Sequence, residues 1–152
     1  MSPVASPRLA AALSAEQRDR LMACARPVDL PEGSRLFEEG GPAEHFWVLR
    51  TGTVTLDVPV PGERPAVVDT VNAGELLGWS WLFAPYRWHC GAEAMTRVRA
   101  YEFDAMTVRM MMDADPHLGS ALGHLVAQML AHRLDSARVR LLDLYAPHGS
   151  GL

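Results

Sequence analysis

The 152-residue chain contains no lysine and no isoleucine, so its fourteen basic residues are all arginines. These arginines are spread along the chain, and the formal net charge is −4 at pH 7. An acidic chain without a basic stripe is a poor candidate for direct binding to DNA or RNA, and equally poor for an anionic membrane surface. The sequence also lacks any apolar run near the roughly 20 residues needed to cross a bilayer.

Cysteine is scarce, occurring only as Cys24 and Cys90, which form no metal-ligand spacing. We therefore expect a reducing, cytoplasmic setting. The N-terminal residues lack the charged-then-apolar layout of a signal peptide, and we expect a flexible tail over residues 1–12. A second flexible tail is expected over 146–152, with a single domain over 13–145 between them.

Signals for catalysis are also missing. No Gly-x-Ser-x-Gly motif occurs. His89 and Cys90 are neighbours in a predicted strand, so their side chains point to opposite faces and cannot form a catalytic pair. The six histidines include no His-x-His pair, which weakens the case for a metal centre. We therefore predict a protein that is not an enzyme and has no metal site.

The segment from Val28 to Phe103 carries the signals of β structure. Short β-rich runs alternate with glycine, proline and asparagine turns at spacings of about eight to twelve residues. This rhythm is typical of an antiparallel sandwich or barrel and not of βαβ units. Glu75–Phe83 breaks the rhythm, and we predict one or two helical turns inserted between strands at that point.

Helix starts are indicated by a capping box at Ser14–Gln17, by Asp104 and by Asp115-Pro116. The last of these begins a long helix predicted over residues 116–145, which carries apolar residues along two faces. Either one face lies on the barrel and the other binds a partner, or both are core of one molecule; we favour self-association. The faces comprise Leu122, Val126, Leu130, Leu134, Ala137, Leu141 and Leu144 on the first, and Leu118, Leu125 and Met129 on the second.

The stretch GELLGWSWLFAPYRW, residues 74–88, holds three of the four tryptophans. A glycine-led turn followed by a short helix exposes backbone N–H groups that suit a phosphate. Arg87 is the one arginine placed on the returning segment to complete such an anion site. Alternatively, the stretch is a buried strand connection whose aromatic side chains pack into the barrel. The residue types leave both interpretations open.

Several segments resemble one known family. LPEGSRLFEEGGPAEHFWVLRTGTVTL, VNAGELLGW and AQMLAHRL occur in the order found in the cyclic-nucleotide-binding domain of the Crp/Fnr regulator family. The likeness covers roughly Leu13 to Tyr145. It implies a mainly β fold, a jelly-roll β-barrel with flanking helices, in which the long last helix serves in homodimers.

In that family the insertion is a phosphate-binding cassette that reads approximately Gly-Asp/Glu-x-x-Gly-Glu-x-x-Leu, followed by Arg-x-Ala. The resemblance aligns its ribose-binding Glu with Trp79 and its phosphate-binding Arg with Trp88, one position after Arg87. Some relatives hold haem, for which His89 and Cys90 are candidate ligands without other support. The ligand-binding residues implied are Gly74, Glu75, Leu76, Leu77, Gly78, Trp79, Ser80, Arg87, Trp88, His89 and Cys90, with Arg138 of the last helix near the base.

These features predict a stand-alone effector-sensing domain that signals to a protein partner, with cAMP, cGMP or an altered small molecule as ligand. The alternative is a ligand-free interaction module whose pocket is filled by Trp79, Trp81 and Trp88. A metal-dependent enzyme on a similar jelly roll is disfavoured by the missing His-x-His pair. Seven residues follow Tyr145, fewer than the roughly 20 of a helix-turn-helix pair, so direct DNA binding is not expected.

Overall fold

The polypeptide folds into two antiparallel sheets with helices at both chain ends, as seen in a computed structural model that describes residues 8–145. The strands are β1 (Arg26–Leu30), β2 (Arg35–Phe37), β3 (His45–Thr51), β4 (Val54–Val58), β5 (Ala66–Val71), β6 (Leu76–Leu77), β7 (Gly91–Ala94) and β8 (Val98–Asp104). The helices are α1 (Leu9–Ala12), α2 (Ala15–Met22), α3 (Ala105–Ala114) and α4 (Pro116–Tyr145), with a 3-10 turn at Ser80–Leu82.

Each sheet contains four strands, in the orders β1-β8-β3-β6 and β2-β7-β4-β5. The predicted arrangement of two antiparallel sheets with flanking helices and a long last helix is therefore confirmed. The described strands do not close into a barrel, because the edge strands β1 and β6 of one sheet do not pair with the edge strands β2 and β5 of the other. Strand β6 is short and pairs with β3 at Trp47–Leu77 and Val48–Leu76. The chain then leaves the sheet at Gly78, whose φ is +101°.

Strand β3 forms the centre of the core. Four successive residues from Phe46 to Leu49 are buried, and because neighbouring side chains point to opposite faces, both faces of β3 are covered. The Phe46 ring stacks on Trp81 at 4.1 Å and on Phe103 at 4.9 Å between ring centroids. Stacked aromatic pairs at these distances add to the free energy gained from burial.

The second sheet contains a nearly buried ion pair. Asp57 on β4 is 5% exposed and accepts hydrogen bonds of 2.5 and 3.0 Å from the guanidinium of Arg35 on β2. These bonds and those to Glu38 raise the pKa of Arg35 above its usual value. A side chain at Gly91 would collide with both partners, which explains why glycine begins β7.

The predicted helix starts are confirmed. Ser14 and Gln17 form a capping box at α2. Asp104 accepts a 2.9 Å hydrogen bond from the Thr107 amide at α3, and Asp115 accepts from the first-turn amides of α4. Because these side chains satisfy amides that lack intrahelical partners, the local sequence marks where α2, α3 and α4 begin.

Helix α4 has the predicted bounds, but its two halves have different surroundings. The first half is core on both predicted faces: Leu118, Leu122 and Leu125 are fully buried. In the second half the first face is exposed, with Leu134 71% and Leu144 77% accessible. The interpretation that both faces are core therefore holds for the first half, and self-association through the exposed second half stays a prediction.

The expected N-terminal tail lies only partly outside the described residues. Residues 1–7 and 146–152 are outside that range, whereas Leu9–Ala12 form helix α1. Leu9 is 4% exposed, and its amide donates to the Gly74 carbonyl. An apolar side chain buried at this position ties the end of the expected tail to the turn before β6.

Candidate ligand-binding site

The glycine-led turn expected at the start of the cassette is present. Gly74 adopts φ +85°, and its amide donates a 2.7 Å hydrogen bond to the Leu49 carbonyl of β3. Glu75 closes the turn, because its carboxylate accepts a 2.7 Å bond from the Asn72 amide. Leu76 and Leu77 follow as buried residues of β6, so they belong to the core wall and not to an open pocket.

The predicted helical insertion is a single 3-10 turn, preceded by Gly78. A Cβ at Gly78 would lie 2.8 Å from the Trp88 indole, closer than atoms tolerate, and its positive φ also favours glycine. Trp81 within the turn is fully buried, and its indole N–H donates a 2.9 Å bond to the Gly78 carbonyl. The turn is thus packed inward by its own tryptophan.

Trp88 occupies the position that the resemblance assigns to the phosphate-binding arginine. Its side chain is 5% exposed and stacks on Phe37 of β2, with ring centroids 3.7 Å apart and planes 10° from parallel. The Trp47 ring lies 6.2 Å from Trp88 and 5.8 Å from Phe37, so the three rings form one cluster. The position is therefore an aromatic core position that joins the cassette to both sheets.

Trp79, Ser80 and His89 form a second group beside this stack. The half-buried Trp79 ring stacks on His89 at 4.6 Å and meets Phe83 edge-on at 6.0 Å. The Ser80 hydroxyl, which is 2% exposed, lies 3.0 Å from Nδ1 of His89. Trp79, at the aligned ribose-binding position, is therefore held in the cassette by aromatic contacts.

The space enclosed by the cassette is small. Its cavity has a volume of about 10 Å³, close to the room one water molecule requires. Small-molecule sites have volumes of roughly 300–1,000 Å³, so the described conformation is closed to a nucleotide. The lining comprises the predicted residues Gly78, Trp79, Ser80, Trp88, His89 and Cys90, together with Phe37, Leu56 and Arg133.

Arg133 of α4 is a functional candidate that sequence reasoning missed. Its side chain is 18% exposed, and its Nε lies 3.8 Å from Oδ2 of Asp69 on β5. Burial lowers the pKa of Arg133 from its usual value, and the charge of Asp69 opposes this shift. The signal was its spacing: Arg133 follows Val126 by seven residues and Met129 by four, which continues their buried face.

Arg87 and Arg138 do not reach the cassette cavity. Residues 86–88 pair with residues 41–43. The Ala43 amide donates to the Tyr86 carbonyl, and the Trp88 amide donates to the Gly41 carbonyl. Because neighbours in an extended chain alternate in direction, an inward Trp88 requires an outward Arg87. Arg87 is exposed and lines a separate surface cleft of about 380 Å³. Arg138 is exposed on α4.

Glu75 and Cys90 are two further predicted ligand-binding residues, and they have different surroundings. Glu75 lines a second small cavity, which it shares with Asp69 and Arg133. Burial raises the pKa of the Cys90 thiol, although the charge of Arg133 opposes the shift, so the thiol is predominantly protonated and weakly nucleophilic at neutral pH. Within residues 8–145, no three His, Cys, Asp or Glu side chains gather in a way that would hold a metal ion.

The two-sheet fold and the glycine-framed cassette define a cyclic nucleotide-binding domain. The family model of the cyclic nucleotide-binding domain matches residues 27–115, so the chain belongs to that family. Over 119 residues it is 27% identical to the CRP-like cAMP-activated global transcriptional regulator of Mycobacterium tuberculosis. The match covers 78% of this chain and 51% of the regulator, so the chain spans about half the length of the curated relatives it matches.

Solved structures agree. The N-terminal domain of a transcriptional regulator from Streptomyces coelicolor is 31% identical, with a TM-score of 0.68 over 80% of this chain and 87% of that one. A cyclic nucleotide-binding domain from Methylobacillus flagellatus superposes with a TM-score of 0.76 over 86% of this chain and 73% of that one. At 19% identity, the second similarity is one of fold alone. None of the helices between residues 8 and 145 has the length and apolar character to span a bilayer.

Proposed function

We propose that this chain is the effector-sensing domain of a Crp-like regulator and that it signals to a protein partner through α4. One observation carries the proposal: the wall of the cassette cavity includes Arg133, which belongs to α4. A change in the cassette therefore acts on the long helix directly, without an intervening element. The proposal assigns no catalytic step to the chain and expects it to act in a reducing cytoplasm.

The proposed effector is cAMP, cGMP or an altered small molecule with a flat ring. Because the cavity is only about 10 Å³, the ligand must displace an indole to enter. Trp79 is the candidate, since it is only partly buried and held by one stacking and one edge contact. A purine offers a flat face that can replace those contacts. Signalling then requires that the ligand bind the open state more tightly than the closed one.

The second half of α4 is the proposed homodimer interface. A helix that exposes this much apolar surface is unfavourable in water unless another surface covers it. A second copy of the same helix provides a matching surface through packing about a twofold axis. The exposed apolar residues are Leu134, Val139, Leu141, Leu142, Leu144 and Tyr145, each more than half accessible.

Calorimetric titration of the full chain with cAMP and with cGMP tests the sensor. We expect saturable heat with at least one nucleotide, together with a change in tryptophan emission as Trp79 leaves His89. Trp79→Phe serves as the matched control, since it keeps a stacking ring but removes that emission. Absence of heat and of any emission change with both nucleotides would refute nucleotide sensing.

A ligand-free interaction module is the second candidate function. Its support is the stack of Trp88 on Phe37, which fills the position of the family's phosphate contact with buried aromatic area. Under this alternative the cassette is a structural connection, and α4 binds its partner constitutively. Sedimentation or light scattering would then give the same assembly with and without nucleotide.

A further inference from the structure

We infer that Arg133 of α4 is the residue that binds the anionic group of the effector, exchanging its contact with Asp69 for the ligand. The inference rests on the proposed sensing function and names the ligand chemistry: a small flat molecule that carries a phosphate or phosphodiester. It places the anion contact on α4 and not at position 88, where the resemblance aligns the family's phosphate-binding arginine.

Arg133 lies at the cassette cavity and supports the inference by its position. Among the described residues that line the cassette cavity, Arg133 alone carries a positive guanidinium. The same side chain also lines the second small cavity, beside Asp69 and Glu75. Arg87 lies in another cleft and Arg138 is exposed on the helix surface. An anion entering under Trp79 therefore meets Arg133.

The charge of Arg133 is largely buried and only weakly paired. Its side chain is 18% exposed, so much of its hydration is lost. Its Nε lies 3.8 Å from Oδ2 of Asp69, well beyond the roughly 2.8 Å of a charge-assisted hydrogen bond. A desolvated cation with a long ion pair gains from a closer anion. A phosphate suits the guanidinium because two of its oxygens can accept from one fork.

The exchange links ligand binding to the helix. The Arg140 guanidinium of α4 donates to the Val68 carbonyl of β5, and the Asp69–Arg133 ion pair adds a second link between the two elements in the closed state. When the ligand takes the guanidinium, that link is broken and a new one joins α4 to the cassette. The middle of α4 thereby changes partner at the residue that separates its buried half from its exposed half.

The test measures cAMP and cGMP affinity in charge variants of the full chain. Arg133→Gln should weaken binding by about tenfold to a hundredfold, the usual effect of removing a hydrogen bond to a charged group. Arg87→Gln and Arg138→Gln are the matched controls and should stay within about twofold of the wild type. Asp69→Asn should tighten binding, because it removes the competing carboxylate.

Asp69→Asn/Arg133→Gln covers the case in which Arg133→Gln fails to fold, since it replaces the ion pair by two neutral amides. We expect this variant to fold, by circular dichroism, and to bind weakly. Wild-type affinity in either Arg133 variant, or weaker binding in Asp69→Asn, overturns the inference and leaves the sensing function standing. A wild-type chain that binds neither nucleotide overturns both.

Discussion

Replacing Trp88 with alanine tests whether the cassette is an aromatic core element. The side chain is 5% exposed, and its ring centroid lies 3.7 Å from that of Phe37 and 6.2 Å from that of Trp47. The substitution removes the whole indole from between the two sheets. It also empties the space beside Gly78, where the Trp88 ring lies against the position that a Cβ would occupy.

The expected loss of stability is about 4 kcal/mol, the middle of the range for tryptophan-to-alanine changes in protein cores. The stack on Phe37 accounts for about 1 kcal/mol of it. Most of the remainder is lost burial and the cavity that stays open. A domain with a total stability of roughly 5–15 kcal/mol should therefore remain folded but become far easier to unfold.

Urea unfolding followed by far-ultraviolet circular dichroism measures this change without relying on tryptophan emission. Trp79→Ala is the matched control: the same side chain is removed from a partly exposed position, so the expected loss is smaller. Free indole at millimolar concentration should partly restore Trp88→Ala, because it binds the folded state alone. A loss below about 1 kcal/mol, or one equal to that of Trp79→Ala, would contradict the assigned core role.

Three further predictions concern other parts of the chain. Gly78→Ala should lower the urea midpoint, because position 78 has φ +101° and its Cβ would meet Trp88. Asp104→Ala should cost about 1 kcal/mol at pH 7 by removing the α3 cap. Hydrogen bonds from Thr107 lower the pKa of Asp104, so its stabilisation is present above pH 3.8 and the difference between the proteins disappears as acid titrates the folded carboxylate. Leu141→Glu should convert the proposed homodimer to monomers in light scattering, since a charge in an apolar interface is unfavourable.

Local signals predicted much of the fold. The capping side chains Ser14, Asp104 and Asp115 act on amides within three residues, so the helix starts could be placed without tertiary information. The turn glycines and β-rich runs likewise indicated two antiparallel sheets. The bounds of α4 followed from Asp115-Pro116 and from the apolar repeat. Which half of that repeat is covered depends on where the sheets end, and no local pattern contains that information.

The site was harder to predict, because its geometry depends on distant pairings. Arg87 has the right residue type near the right position, yet backbone bonds near Pro42 turn it outward and Trp88 inward. Arg133 was overlooked because the helical faces were defined by apolar residues only. It lies on the same face as Met129, where a single charged residue signals a buried polar contact. For locating the site, a charged residue on an apolar helical face is thus more informative than an arginine near the aligned position in the sequence.

Trp88 restricts the order in which substitutions at this site can accumulate. It contacts Phe37 on one strand and occupies the space left by Gly78 on the connecting segment. A guanidinium placed at position 88 would face those aromatic rings in a dry environment, so it requires prior changes at its neighbours. A side chain at position 78 is unfavourable for two reasons, the nearby indole and the φ of +101°, and only the first is removed with Trp88. Positions 37 and 88 are therefore expected to change together in evolution, whereas position 78 is expected to stay glycine even where both rings are replaced.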